Sequence, residues 1–494
     1  MKRKMMLNTV TSLASQLVAV IYGFVLPRLI LEYFGSEVNG LTQSIKQFLT
    51  IISFLDLGVG QVIRSSLYRP LAEKDRTQLS IVMASGRKFY RGLAKGLLVY
   101  VAVLICVYPV LAKQDFGWLF TATLIAAMAV SSFAQYYFGI INEQLLHADQ
   151  RGYILFALQI ASNVVNAVFC IILIRMGGSI HSVKLVTSLV FLAKALLLEL
   201  YIRRRYRLDR SIHYEGEPIR QKWNGVAQHI SAVVLDGTDT VVLTLFSTLA
   251  NVSVYSVYYM VVSSIQNFYQ AATAGIQSAA GALWAKGDRE AQTRMFSAVE
   301  MTLHSVTVFL FSCTGLLLVP FVRVYTEGLT DAQYIQPLFA VLLVVAYGIR
   351  CLRTPYNIWI LAAGHFRQTQ RCHIIAAAVN LVISVFAVIR WGLVGVAVGT
   401  LVAMAYQTGW MAWYNSKALL QRPFGSIIKR FAVDILTAGV ICLLAGRITL
   451  TRVSYPGWVL MAVQVALIAF AVTAVSSLVF YREQTIAVVK KFRR

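Results

Sequence analysis

Eight charged side chains interrupt long apolar runs in this sequence of 494 residues: Arg28, Lys46, Asp56, Arg64, Asp236, Asp239, Arg350 and Arg353. A charge at mid-bilayer costs several kcal/mol unless it faces a cavity or a partner, so each marks either a binding site or a buried pair. Arginine suits phosphate, because its planar guanidinium donates two parallel hydrogen bonds to phosphate oxygens. Arg28 and Arg64, together with Lys46, are therefore the candidate holders of a phosphate-bearing anion. The bland alternative for Arg64 is a side chain snorkelling to the interface near Arg69. Lys46 and Arg64 are eighteen residues apart, five helical turns, and share a face if their helix is regular. Gly58 and Gly60 permit irregularity there, and Pro27 leaves the face of Arg28 open.

Asp236 and Asp239 share one helix face, as do Arg350 and Arg353 at similar depth. With Asp56, these carboxylates are candidates for binding a proton or Na⁺ whose gradient drives a transport cycle. The alternative is a buried pairing with Arg350 and Arg353 that locks the helices and carries nothing. A further stripe, Ser263, Gln266, Gln270, Thr273 and Gln277, repeats at spacings of three and four along one apolar helix. Facing a cavity, it offers hydrogen bonds to sugar hydroxyls. Facing a neighbouring helix, it is ordinary polar packing.

The elements that carry these residues must be membrane helices. Hydrophobic residues make up 58% of the chain and charged residues 13%, about half the charged share of a soluble protein. Spanning backbone has to satisfy its own hydrogen bonds, and long runs without alternation select helices over a barrel. About fourteen spans are expected, near residues 6–31, 38–67, 89–111, 116–145, 153–176, 183–202, 223–246, 252–283, 296–322, 335–362, 372–389, 394–415, 431–450 and 458–480. The net charge of +24 points to retained cytoplasmic loops rather than to nucleic acid. With the N-terminus inside, inner segments hold roughly 32 Lys and Arg and outer segments roughly 7, so both termini are expected in the cytoplasm. Loops are short, and no metal-ligand cluster, phosphate loop or nucleophile motif appears, so no enzyme activity and no cofactor are expected.

The chain also repeats itself. A shift of roughly 214 residues carries Ala72, Asp75 and Arg76 onto Ala285, Asp288 and Arg289 with one residue of slip, Asn166 onto Asn380 and Gly178 onto Gly392. Six spans separate the copies, so both insert the same way round, as two pseudo-symmetric lobes with a substrate path between them. The expected architecture is all-α: an N-terminal six-helix lobe over 1–210, a second over 211–418, and two extra helices with a basic tail over 419–494. The intramembrane charges are not duplicated. At the same offset Arg28 meets Val242, Arg64 meets Ser278, Asp236 meets Tyr22 and Arg350 meets Tyr136.

Several segments resemble the polysaccharide flippases of the multidrug/oligosaccharidyl-lipid/polysaccharide exporter superfamily. In the first lobe these are Phe34-Gly35-Ser36, Asn39-Gly40-Leu41, Asp56 to Gly60 and Ser66 to Ala72. In the second they are Thr238-Asp239, Val254-Tyr255-Ser256, Arg353-Thr354-Pro355, Asn380-Leu381 and Gly392 to Thr400. The resemblance implies translocation of an undecaprenyl-pyrophosphate-linked oligosaccharide across a bacterial cytoplasmic membrane by alternating access. Membrane lipid would be its surroundings, and glycosyltransferases or a polymerase of the same pathway its partners. Relatives often carry an acid one turn before the asparagine-leucine pair, where this chain has Ala376. Two rival readings are a cation-coupled multidrug exporter of the same superfamily and a non-transporting scaffold of a glycan synthesis complex.

Overall fold

The computed structural model describes residues 2–52, 59–111, 116–206, 208, 209, 212 and 226–486, and those residues are helical almost throughout. The described parts of the expected spans lie largely on helices. Among the described residues, ten helices are long and apolar enough to cross a membrane. Their outer faces carry large apolar side chains in the open, such as Val110, Phe386, Ile435 and Leu443. This inverts the pattern of a water-soluble fold and fits hydrocarbon as the surrounding solvent. The chain divides into two compact units, residues 1–233 and 234–494.

The first unit opens with α1, Lys2–Ile51, which is bent at Gly35. Gly35 has φ 81° and ψ 173°, a conformation open to glycine and costly for any residue with a Cβ. There follow α2 (Val59–Glu73), α3 (Arg76–Leu111), α4 (Trp118–Ala134), a π-helical turn at Gln135–Gly139, α5 (Ile140–Ala148), α6 (Gly152–Arg175) and α7 (Ile180–Tyr206). The span expected over 38–67 is not one described helix: α1 stops at Ile51 and α2 starts at Val59. Asp56 and Gly58 lie outside the described residues, as does the regular register that would place Lys46 and Arg64 on one face.

The second unit contains most of α8 (Val226–Phe246), then α9 (Leu249–Ala285), α10 (Arg289–Tyr325), α11 (Pro337–Leu352), α12 (Thr354–Ala362), α13 (Phe366–Trp391) and α14 (Leu393–Tyr414). A π-helical turn at Asn415–Leu419 leads to α15 (Phe424–Ala445) and α16 (Tyr455–Phe480). These last two helices pack on α10, where Val308, Ile441 and Ala469 form one buried cluster.

The internal repeat has a structural counterpart at the start of α3 and of α10. Lys74 and Gly287 both adopt positive φ, at 56° and 73°. The aspartate that follows caps the next helix in each copy. Asp75 accepts from the Gln78 amide at 2.9 Å and Asp288 from the Ala291 amide at 2.9 Å, satisfying donors that the first turn leaves open.

Candidate functional site

A buried polar site of the second unit is built by a tight helix crossing. The pair α13 and α14 turns at Gly392, φ 52°, and the helices then lie close because Gly395 and Gly399 lack side chains. A Cβ added at Gly399 would meet the Ser384 amide nitrogen at 2.9 Å and the Asn380 carbonyl at 3.1 Å. That approach puts the Asn380 amide 3.0 Å from Thr400 Oγ1, with both residues fully buried. Thr400 Oγ1 in turn lies 2.8 Å from each carboxylate oxygen of Asp239 on α8, which is itself 2% exposed. Tyr255 on α9 donates to the same carboxylate at 3.0 Å. The tyrosine is fixed by Tyr259, stacked at 5.6 Å between ring centres, and by Phe339 at 6.0 Å. Asn380 Oδ1 is buried and has no hydrogen-bond partner among the described residues.

Asp239 therefore has hydroxyl partners and no Lys or Arg in hydrogen-bond contact among the described residues. A buried carboxylate so placed is expensive as a bare anion, and binding a proton or a small cation removes that cost. A carboxylate, two hydroxyls and a spare amide oxygen form an all-oxygen donor set of the kind hard cations take. The position that could have supplied a further acid, Ala376, is instead part of a small apolar cluster with Leu235, Ala377, Ala403 and Met404.

Asp236, one turn earlier on α8, has a different environment. Its carboxylate pairs with the Arg350 guanidinium on α11. Arg350 also reaches Gln266, whose amide oxygen, oriented toward the guanidinium, accepts from Nε at 2.9 Å and Nη2 at 3.1 Å. The same oxygen accepts from Gln270 Nε2 at 2.9 Å. A chain of polar contacts thus runs from Asp236 through Arg350 into the stripe on α9. Arg353 joins neither aspartate; its guanidinium lies 3.9 Å from Met404 Sδ.

The stripe is less uniform than its spacing implies. Gln266 and Thr273 are buried, and Gln270 and Gln277 are exposed on the unit. Ser263 and Thr273 donate to carbonyls of their own helix, Met260 at 3.3 Å and Gln270 at 3.0 Å. Two of the five side chains, Gln270 and Gln277, are thus exposed, and the others are used in whole or part within the unit.

In the first unit Arg64 on α2 is half-buried and its Nε donates to Gln144 Oε1 on α5 at 2.8 Å. Arg28, just past Pro27 on α1, is half-buried. Lys46 is exposed on the surface of the unit and lies within electrostatic reach of Lys184 on α7. Lys184 was not singled out from the sequence, and neither were Lys194, Glu143 and Glu199. Lys194 donates to Gln159 at 2.7 Å and pairs with Glu143 at 3.5 Å, while Glu199 accepts from Asn142 at 2.6 Å. Thr400 and Tyr255 entered only as parts of family-like segments. No spacing rule links Asp239 to a hydroxyl 161 residues away; only the crossing of α13 and α14 does.

No family model matches the chain, and no curated protein matches it. Solved structures are. A lipid II flippase, MurJ, in an inward closed conformation superposes with a TM-score of 0.72 at 14% identity, covering 97% of this chain and 99% of its own. The fold is that of the MOP superfamily transporters. An inward-facing multidrug resistance MATE transporter of that superfamily superposes at 0.65 with 12% identity, covering 83% of this chain and 98% of its own. A MOP superfamily transporter from Pyrococcus furiosus, noted for reversed polarity of its binding pocket, gives 0.56 at 11% identity over 85% and 95% of the two chains. This protein is a multi-pass membrane protein with a transporter fold.

Proposed function

We propose that this protein is a flippase that moves an undecaprenyl-pyrophosphate-linked oligosaccharide across the cytoplasmic membrane by alternating access, with both termini in the cytoplasm. The observation that carries this reading is the set of cations within the apolar helices of the first unit, Arg28, Arg64 and Lys46. A cation in an apolar helix of a membrane protein is stabilised by an anion. A pyrophosphate offers several charged oxygens to guanidinium donors. The likeness to a lipid II flippase over nearly the whole chain supports the same reading.

In this reading Gln270 and Gln277 meet sugar hydroxyls, Gln266 positions Arg350, and Asp239 is the acceptor of the coupling proton or monovalent cation. Asp236 holds Arg350 in place. The oligosaccharide makes no covalent bond to the protein. The work consists of binding the head group away from lipid and releasing it on the other side, while the polyprenyl chain remains in hydrocarbon.

The likeness to multidrug resistance transporters favours a second reading, cation-coupled export of amphipathic drugs. An anionic head and a cationic drug demand opposite site charges, so cargo competition separates the two. Proteoliposomes loaded with fluorescent polyprenyl-pyrophosphate glycan should show transfer that inorganic pyrophosphate analogues inhibit and lipophilic cations do not. Inhibition by the cations alone would favour drug export.

A further inference from the structure

We infer that α3 and the π-helical turn Gln135–Gly139 build a phosphate-binding site at a membrane interface, separate from Arg28, Arg64 and Lys46. The helix α3 has 36 residues, about 54 Å at 1.5 Å per residue, so it projects well beyond a hydrocarbon core of about 30 Å. Its last charge is Lys95, and residues 96–111 are uncharged. The segment carrying Lys88, Arg91 and Lys95 therefore sits where the apolar part of the helix ends. Spacings of three and four put these three on one face, and all three are exposed.

That face is the floor of a cavity of about 460 Å³, lined also by Arg87 and Tyr137. No Asp or Glu lines it among the described residues. Tyr137 belongs to the π-helical turn, and such local widening re-aims side chains and recurs at functional sites. Here it sets the phenol ring under Arg91, whose guanidinium carbon lies 5.0 Å from the ring centre. The ring is held in turn by Phe133, stacked at 5.4 Å, and by Phe138, edge-on at 4.6 Å. A topology signal alone requires basic residues and neither a cavity nor an aromatic wall. Concentrated positive charge, a preset guanidinium and a half-open cavity instead fit a phosphate ester, whose oxygens accept from Arg and Lys together. An anionic phospholipid head group and a soluble phosphate both present that chemistry.

The test uses the full chain in nanodiscs of zwitterionic lipid, with two arms. In one, phosphatidylglycerol is added and the lipid retained on the protein is counted by native mass spectrometry. In the other, inorganic pyrophosphate is titrated calorimetrically. Binding in either arm should weaken roughly 25-fold in the Arg91→Gln/Lys95→Gln double variant, at about fivefold per charge removed. Tyr137→Leu should weaken it less, and Lys286→Gln, on the exposed end of α9, should leave it unchanged. Retention of phosphatidylglycerol alone identifies a lipid site, and pyrophosphate binding alone a soluble-ligand site. Arg91→Lys, which keeps the charge, guards against a folding artefact by retaining binding. Equal affinity of wild type and double variant in both arms would overturn the inference, as would equal losses in the double variant and Lys286→Gln.

Discussion

Thr400 Oγ1 stands 2.8 Å from both carboxylate oxygens of Asp239, across 161 residues of sequence. One hydroxyl hydrogen is thereby shared between two anionic oxygens, and the remaining negative charge has no cationic partner among the described residues. Asp239→Asn should therefore abolish the response of transport to an imposed proton or Na⁺ gradient. Thr400→Val, which removes one hydrogen bond to a charged group, should weaken ion dependence roughly tenfold. Transport initial rates against ion concentration in proteoliposomes check both; an unchanged ion response in Asp239→Asn contradicts the assignment.

Asp236 should behave differently from its neighbour one turn away. Its pairing with Arg350, joined to Gln266, makes it a structural anchor. Asp236→Asn should lower thermal stability by about 1–2 kcal/mol, because the pair is only partly shielded from solvent, and should leave ion dependence in place. Thermal unfolding in detergent, set beside the transport assay, separates the two effects. Loss of ion dependence with no change in unfolding would reverse the roles.

The crossing of α13 and α14 depends on the absence of side chains. Gly399→Ala should cost about 1–3 kcal/mol, since the new methyl meets backbone at Ser384 and Asn380 that has no room to retreat. The same substitution separates Thr400 from Asn380, so ion affinity should fall along with stability. Gly409→Ala, on the same helix with nothing within 4 Å of the added carbon, is the matched control and should be neutral. Unfolding midpoints for the two variants give the comparison.

A buried charge cluster joins α10 to α12, to the segment before α15 and to the middle of α15. Glu300, 1% exposed, accepts from Tyr356 at 2.9 Å and from both terminal nitrogens of Arg422 at 3.2 Å. One turn on, fully buried His304 meets Asp434 of α15 at 2.6 Å. Glu300→Ala leaves Arg422 without its carboxylate and should destabilise by about 3 kcal/mol. Protease sensitivity of the α14–α15 connection should rise in parallel. A variant as stable as wild type would show that the cluster does not hold these elements together.

Much of this molecule could be read without coordinates, for identifiable reasons. Apolar run length determines span number, because hydrocarbon thickness imposes a nearly constant helix length. The repeat was visible at Asp75 and Asp288 because a helix start needs a cap and the chain uses the same one twice. Intramembrane charges stood out for their cost alone. What stayed hidden was partnership. Asp236 and Asp239 look equivalent on a helical wheel, yet one meets Arg350 and the other meets Thr400, because neighbours on other helices decide. The register from Lys46 to Arg64 crosses residues 53–58, which lie outside the described residues, so the face those two side chains share rests on spacing alone. Lys184 lies close to the start of its expected span, where a lysine ordinarily needs no explanation, whereas Lys194 lies mid-span on α7 and carries the same signal of cost as the other intramembrane charges.

The proposed flippase would carry an anionic, lipid-linked head group past Arg28 and Arg64. The most direct measurement is the protection of fluorescent undecaprenyl-pyrophosphate glycan from a membrane-impermeant quencher in proteoliposomes. Wild-type protein should equilibrate the glycan between leaflets, and Arg28→Glu and Arg64→Glu should each reduce the initial rate at least 100-fold while the protein remains folded and inserted. Transfer at the wild-type rate in both charge-reversed variants would contradict the account.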